Sequence, residues 1–291
     1  MPLKLKAAQK TDVGRQREQN EDSPFMSISE DLERGLFIVA DGMGGYRAGE
    51  VASQLAVNKI SESLKALLVP ISEQPTIKLT PVSDEQTIKL DTVKAAEQNV
   101  KQKTRKLAET PAIKSIDDHL KAAVRQANRA ILSYGEEQSG ARGLGCTVTS
   151  VLVQDDQASI VNVGDSRTYL YRDGTLKPLT RDHSLVQRLV EEKQIEPEDV
   201  YTHPQRNLIY RSLGAGHKNI DPDVFHIQLQ AGDTLLLCSD GLWEMVRHQD
   251  LVNILQQEND PQKICDTLID LANTNGGEDN ITAIVVQIRA R

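Results

Sequence analysis

Four aspartates of this sequence stand at the ends of apolar segments, close to glycine or asparagine. They are Asp41, Asp165, Asp240 and Asp279. The corresponding apolar segments are residues 35–40, 158–163, 233–238 and 281–288. Apolar runs of this length, bounded by turn-forming residues, predict buried strands. Each carboxylate is therefore expected to project from the end of a rigid strand.

A single aspartate in such a position is usually a turn former, but several that converge would repel one another unless a cation lay between them. Glu21 and Asp22 form a further acidic pair near the N-terminus. An all-oxygen ligand set favours Mg²⁺ or Mn²⁺ over zinc, and the six histidines show no ligand spacing. Such ions lower the pKa of bound water and clamp the oxygens of a phosphoryl displacement. The acidic residues therefore predict hydrolysis of a phosphate ester.

Two features near the acidic residues fit a phosphate. Arg17 precedes the acidic pair, and a guanidinium offers two parallel donors to phosphate oxygens. Gly42, Gly44 and Gly45 lead into a predicted helix at residues 47–68, whose first N–H groups are expected to hold water on a metal ion or an anion. The alternative for Arg17, an ordinary surface arginine, stays open at this point.

The composition limits the partners and the compartment. The chain has 291 residues, with 34 Lys and Arg against 42 Asp and Glu, and its net charge is −8. This is the wrong sign for a protein that binds nucleic acid or an anionic membrane. No apolar run approaches a membrane span or the core of a signal peptide, and the three cysteines lie far apart. We expect a cytoplasmic monomer with reduced cysteines.

The elements that must position these residues are strands and amphipathic helices. Between residues 145 and 180, short strands alternate with turns such as Asp173-Gly174, which predicts an antiparallel meander and not βαβ crossovers. Apolar residues at steps of three and four predict helices. These are residues 47–68, 116–134, 184–193, 249–257 and 261–272. Buried strands covered by helices predict an α+β layered architecture.

Residues 70–115 interrupt this pattern. The segment has prolines at positions 70, 75, 81 and 111 and few large apolar residues, and the sequence Thr-Ile-Lys-Leu occurs in it twice. We interpret it as an insertion. Two roles stay open for it, a flexible surface connection and a docking element for a partner.

Five ordered segments of the chain resemble the motifs of the PPM-type metal-dependent (type 2C) serine/threonine protein phosphatases in their bacterial form. They are residues 11–22, 39–45, 161–167, 238–243 and 277–282. The resemblance extends over nearly the whole chain except residues 70–115. It implies a single phosphatase domain over residues 1–291, with an α+β fold built as a four-layer αββα sandwich of two antiparallel β-sheets flanked by helices.

The resemblance also implies a ligand set for two Mn²⁺ or Mg²⁺ ions. Asp41 would bridge the two ions, the Gly42 carbonyl would bind one of them, and Asp240 and Asp279 would bind the other. Asp165, together with Asp240, resembles the ligand set of a third, weaker ion in bacterial members. Hydroxide between the ions would attack phosphorus directly, so no protein nucleophile is expected.

Other residues receive roles in substrate binding from the same resemblance. Arg17 would bind the phosphate. Asp22, with Glu21 beside it, would belong to the metal site and orient water bound to the metal. Many animal members have a histidine where this chain has Met43, so the proton donor to the leaving oxygen is open; a water on the metal is our first choice and His203 the second. Residues 182–207 resemble the flap that governs substrate choice in the family.

The implied function is dephosphorylation of phosphoserine and phosphothreonine in proteins, in opposition to protein kinases in signalling, with a cognate kinase as a further partner. Two other functions stay open from the residues alone. One is a phosphoprotein-binding module without turnover, against which the complete acidic set argues. The other is a metal-dependent phosphoesterase that acts on small molecules.

Overall fold

Twelve strands and six α-helices occur in the residues that the computed structural model describes, which are 3–44, 48–69, 115–138 and 143–290. The strands are β1 (Leu3–Asp12), β2 (Asp22–Ile28), β3 (Arg34–Met43), β4 (Gly145–Cys146), β5 (Val148–Gln154), β6 (Gln157–Val163), β7 (Arg167–Arg172), β8 (Thr175–Pro178), β9 (Leu213–Gly214), β10 (Asp223–Gln228), β11 (Thr234–Cys238) and β12 (Ile281–Ala290). The helices are α1 (Ala48–Leu64), α2 (Ile116–Glu137), α3 (Leu185–Glu191), α4 (Asp240–Trp243), α5 (His248–Gln257) and α6 (Pro261–Thr274). Short 3₁₀ helices lie at Lys65–Leu68 and Pro197–Tyr201.

The strands form two antiparallel sheets. One has five strands in the order β1-β12-β11-β7-β8, and the other has seven, in the order β10-β6-β5-β3-β4-β9 with β2 paired to β3. Two antiparallel sheets with helices confirm the predicted α+β fold. No helix in the described parts of the chain combines the length and the apolar character needed to cross a membrane.

Strand β3 shows how the layers arise. Side chains of a strand alternate between its two faces. Leu36 and Ile38 belong to the core formed with α1 and α2, whereas Phe37 and Val39 belong to the core between the two sheets. A third core lies between the five-stranded sheet and the helices α5 and α6. The layers therefore follow the order helices, seven-stranded sheet, five-stranded sheet, helices.

The predicted meander between residues 145 and 180 is only partly right. The hairpins β5–β6 and β7–β8 form as predicted, and Asp173 and Gly174 both adopt the positive φ that a tight hairpin turn requires. However, β6 and β7 lie in different sheets. The chain passes from one sheet to the other through Gly164, whose φ of 106° is one that side-chain-bearing residues rarely adopt. This crossing places Asp165 between the sheets.

The predicted helices are present with small shifts of their ends. The largest is at the helix predicted over residues 47–68, where α1 ends at Leu64 and the chain continues as a 3₁₀ turn. The predicted insertion at residues 70–115 lies outside the described residues except at its last position, so it stays a prediction.

Candidate metal centre

An acidic cleft of about 220 Å³ lies where the ends of several strands meet. Nine residues named in the sequence analysis line it. Six are charged, namely Arg17, Glu21, Asp41, Asp165, Asp240 and Asp279, and the other three are Gly42, Met43 and Gly44. Strand pairing explains the convergence. Cys238 at the end of β11 pairs with Ala283 near the start of β12, so the residues just beyond these strand ends share one edge of the sheet. Asp22 and Asp41 are direct partners in the β2–β3 register.

Two carboxylate oxygens near this cleft are buried without a hydrogen-bond partner among the described residues. They are Oδ1 of Asp22 and Oδ1 of Asp240. The other oxygen of Asp22 accepts a hydrogen bond from the Ser239 hydroxyl at 2.7 Å. A buried charged oxygen without a partner is costly, and a hard cation is the kind of ligand that would satisfy it.

Burial and mutual repulsion raise the pKa values of the clustered carboxyls. The pKa of Asp41 lies well above its usual range, because of burial first and then because of the charges of neighbouring aspartates, of which Asp240 has the largest effect. Burial likewise raises the pKa of Asp240 well above its usual range, that of Asp22 to about 6 and that of Asp165 to about 7. The cleft therefore favours bound cations or protons over bare carboxylates.

This arrangement predicts that the chelated protein loses stability as the pH rises. A carboxyl whose pKa is raised in the folded state binds a proton that the unfolded chain releases near pH 4, so its stabilising contribution is complete below that pH and is lost as the pH passes the folded value. For Asp22 and Asp165 this occurs at about pH 6 and 7. We expect the melting temperature in EDTA to fall by roughly 5–10 °C between pH 5 and pH 8, as measured by scanning calorimetry.

Added Mn²⁺ is the control, because a cation in the cleft offsets the same charges and should remove most of the fall. His183 acts in the opposite direction, since burial lowers its pKa, but it is one group against several. A melting temperature in EDTA that stays level or rises from pH 5 to pH 8 would contradict the prediction.

Glu21 has a structural role that the sequence did not predict. Its carboxylate lies against the start of α1, where it fills the space that a Cβ atom on Gly49 would need. Burial raises the pKa of this carboxyl, and the nearby backbone N–H groups of Gly49 and Glu50 partly offset the rise. The expectation that the first N–H groups of this helix hold an anion or water on a metal ion stays a prediction. The packing is close enough that a Cβ atom on Gly42 would lie 2.2 Å from the Gly49 carbonyl oxygen.

Arg17 and His203 have different positions relative to the cleft. Arg17 is half-exposed, and its Nη2 atom lies 2.6 Å from Oδ2 of Asp279. His203 is not among the residues that line the cleft; its Nδ1 atom accepts a hydrogen bond from the Gln205 N–H at 3.1 Å. Asn207 and Ile209, which sequence analysis did not single out, line the cleft instead.

Asn280 fixes the loop that carries Arg17. Its Nδ2 group donates to the carbonyls of Val13 and Gln19, at 2.9 and 2.8 Å, and its Oδ1 atom accepts from the Glu21 N–H at 2.8 Å. The three bonded residues lie on both sides of Arg17 in the sequence. Asn280 is buried, and its side chain acts as a clamp that holds the two ends of this loop together. In the sequence, its position next to Asp279 was the only signal of this role.

The donor set fits Mg²⁺ or Mn²⁺ by its chemistry, since every side chain that lines the acidic part of the cleft offers oxygen. The distances between these side chains are a separate test of the site. Among the described residues, no three acidic, histidine or cysteine side chains meet closely enough to hold an ion by themselves. Arg17 also occupies one oxygen of Asp279. The case for an ion therefore depends on the oxygen donors and the two unpaired buried oxygens.

Known proteins resemble this chain over most of its length. Residues 72–281 match the model of the family described as protein phosphatase 2C. The chain is 36% identical over 278 residues to the serine/threonine phosphatase stp of Listeria welshimeri, with 96% of this chain and 94% of that protein covered. It is 35% identical over 286 residues to the serine/threonine protein phosphatase PstP of Mycobacterium tuberculosis, with 98% of this chain and 45% of that protein covered.

A solved structure is similar to this fold. It is the catalytic domain of PstP in complex with two manganese ions, with a TM-score of 0.75 and 32% identity. The similarity covers 99% of this chain and all of that one, 100%.

Proposed function

Because this chain belongs to the protein phosphatase 2C family, which confirms the resemblance found in its sequence, we propose that it hydrolyses phosphoserine and phosphothreonine in proteins. The observation that carries the proposal is the convergence of Asp41, Asp165, Asp240 and Asp279 with Arg17 in one cleft. Carboxylates hold divalent ions and the guanidinium binds phosphate. The complete acidic set supports turnover over a binding module without activity.

We infer that the cleft takes two Mn²⁺ or Mg²⁺ ions, as the PstP catalytic domain takes two manganese ions. Asp41, the Gly42 carbonyl, Asp240 and Asp279 would hold them, and Asp165 with Asp240 would hold a third. When bound, such ions supply an activated water and neutralise charge on the phosphoryl oxygens. The unpaired buried oxygen of Asp240 supports this assignment.

Other side chains would bind the phosphate and orient water. Arg17 would bind two phosphate oxygens through its parallel N–H groups, and Asp22, held by the Ser239 hydroxyl, would orient water at the buried side of the cleft. Met43 carries no exchangeable proton. His203 does not line the cleft, which supports water as the proton donor to the leaving serine or threonine oxygen, with His203 as the second choice.

We infer the partners and the cellular compartment of the protein from its composition. The net charge of −8 supports phosphoproteins as partners over nucleic acid or anionic membranes, and the three free, buried cysteines support a reducing, cytoplasmic compartment. A cognate kinase, a monomeric state, and a single domain with an insertion at 70–115 and a flap at 182–207 complete the proposal.

Metal removal tests the proposal. We expect phosphate release from phosphoserine and phosphothreonine peptides in Mn²⁺ or Mg²⁺, and a fall of at least about a hundredfold in EDTA, measured by a colorimetric phosphate assay. Excess Mn²⁺ added to the EDTA sample should restore the rate and is the control for damage by the chelator. Turnover that continues unchanged in EDTA would exclude the metal mechanism, and turnover restricted to small phosphate esters would point to the small-molecule alternative.

A further inference from the structure

Two short extended segments meet beside the acidic cleft. Ser184 and Ile209 form an isolated antiparallel bridge just before α3. Backbone hydrogen bonds close the bridge on both sides, from Leu185 N–H to the Leu208 carbonyl at 2.8 Å and from Tyr210 N–H to the His183 carbonyl at 2.9 Å. Neither bond uses the backbone groups of Ile209.

The unused groups of Ile209 point away from this bridge. Successive residues of an extended chain direct their N–H and C=O groups to opposite sides. The Leu208 carbonyl and the Tyr210 N–H are directed toward residues 183–185, so both polar groups of Ile209 are directed to the other side. No residue in the described ranges bonds to either of them. Ile209 and Asn207 line the cleft, so this open backbone edge lies beside the candidate metal centre.

The edge is also held at a fixed position. The His183 N–H donates to the Gly164 carbonyl at 2.9 Å, and the Nδ1 atom of His183 accepts from the Gly164 N–H at 3.0 Å. Gly164 directly precedes Asp165. One hydrogen-bonded path therefore connects Ile209 to the turn that places a cleft aspartate, and a rigid edge loses little entropy when it binds.

We propose that an extended segment of the phosphoprotein pairs with the backbone of Ile209 while its phosphate enters the cleft. This proposal rests on the proposed function and adds the form in which the substrate is recognised. One free N–H and one free C=O on the same residue can form both hydrogen bonds of a hydrogen-bonded residue pair between antiparallel strands. The enzyme then selects phosphorylated residues in extended stretches, since the backbone groups of a helix are already paired, and it accepts diverse sequences because main chain is what it contacts.

Ile209→Pro tests the proposal, because the backbone N–H that proline lacks is one that the bridge does not use, and proline is tolerated at such edge positions. The measurement is the KM for a phosphoserine peptide divided by the KM for p-nitrophenyl phosphate, which has no peptide backbone. We expect this ratio to rise about fivefold in the variant. Ile209→Ala keeps the N–H and should change the ratio by less than about twofold. An unchanged ratio in the proline variant, or an equal rise in the alanine variant, would overturn the proposal.

A second measurement needs no variant. Wild-type enzyme is assayed on a set of phosphoserine peptides that each carry one N-methylated amide near the phosphoserine. We expect one flanking position at which methylation raises KM about fivefold, because that N–H bonds to the Ile209 carbonyl. Uniform KM values across the set would overturn the proposal whether or not the proline variant folds. Failure of the wild type to hydrolyse any phosphopeptide would instead count against the proposed function.

Discussion

Asp240→Asn is expected to remove almost all turnover and, at the same time, to raise the melting temperature of the chelated protein. Oδ1 of Asp240 is buried without a hydrogen-bond partner among the described residues, and burial, followed by the charges of Asp165 and Asp279, raises its pKa. An amide of the same shape removes this repulsion but also removes a charge that would hold a divalent ion. We expect kcat on a phosphopeptide to fall about 1,000-fold and the melting temperature in EDTA to rise by about 5 °C.

Asp182→Asn is the matched control, because Asp182 is a buried aspartate in the opposite electrostatic environment. Its Oδ2 atom lies 2.7 Å from Nη2 of Arg167, and that guanidinium stacks on the ring of Trp243. Removal of the carboxylate charge leaves the largely buried Arg167 without its counter-charge, so the melting temperature should fall by about 5 °C or more. If Asp240→Asn is destabilised as strongly as this control, or keeps its turnover, the assignment of Asp240 to the metal centre is wrong.

The two substitutions are expected to change the melting temperature in opposite directions, because the two aspartates have opposite electrostatic surroundings. A carboxylate that only stabilises the fold has a positive partner, as Asp182 does. Asp41 and Asp240 are held close to other carboxylates, and their raised pKa values record the cost of that position. Groups that destabilise the folded chain in this way are typical of functional sites.

Most of the acidic cleft could be predicted because strong local signals mark its positions. Strands β3, β11 and β12 are buried along most of their length, so each is a continuous apolar run in the sequence. The end of such a run determines where the next side chain lies. The resemblance of five segments then implied that these distant positions belong to one metal site, and the protein phosphatase 2C match confirms the resemblance itself.

Elements whose stability depends on distant partners could not be predicted in this way. Strands β1 and β10 are sheet edges, and β2 is half-exposed. Lys4, Lys6 and Lys10 interrupt the apolar pattern of β1, as is common for edge strands, and each forms an ion pair in the fold. The crossing of the chain between sheets after β6 was likewise invisible, because both flanking segments are good strands and only the three-dimensional packing separates them.

Asn280 illustrates the same limit at the level of one side chain. The sequence shows that it follows Asp279 and begins a strand, but its bonding partners at Val13, Gln19 and Glu21 lie at the other end of the chain. Spacing cannot reveal three convergent backbone groups from so distant a segment. The structure therefore adds a positioning residue to the set that the motifs implied.

Asn280→Ala is expected to weaken phosphate binding about 30-fold, because the loop that carries Arg17 loses three of its anchoring hydrogen bonds. The arginine must then become ordered each time phosphate binds. The measurements are the Ki of inorganic phosphate as a competitive inhibitor and the KM of a phosphopeptide, both in saturating Mn²⁺. Asn280→Asp is the conservative variant, since it keeps the acceptor for the Glu21 N–H and loses the donors to Val13 and Gln19. Its Ki should lie between those of the wild type and the alanine variant.

A double-mutant cycle with Arg17→Ala decides whether Asn280 acts through the arginine. If the clamp exists to position Arg17, the Ki of the double variant should equal that of Arg17→Ala alone within about twofold, because the clamp has nothing left to position. If Asn280 only supports the fold or the neighbouring Asp279, the two losses are independent and should multiply. Independent losses would remove Asn280 from the phosphate site, and would leave Asp279, which follows Gly277 and Glu278 in the same loop, as the side chain through which the substitution acts.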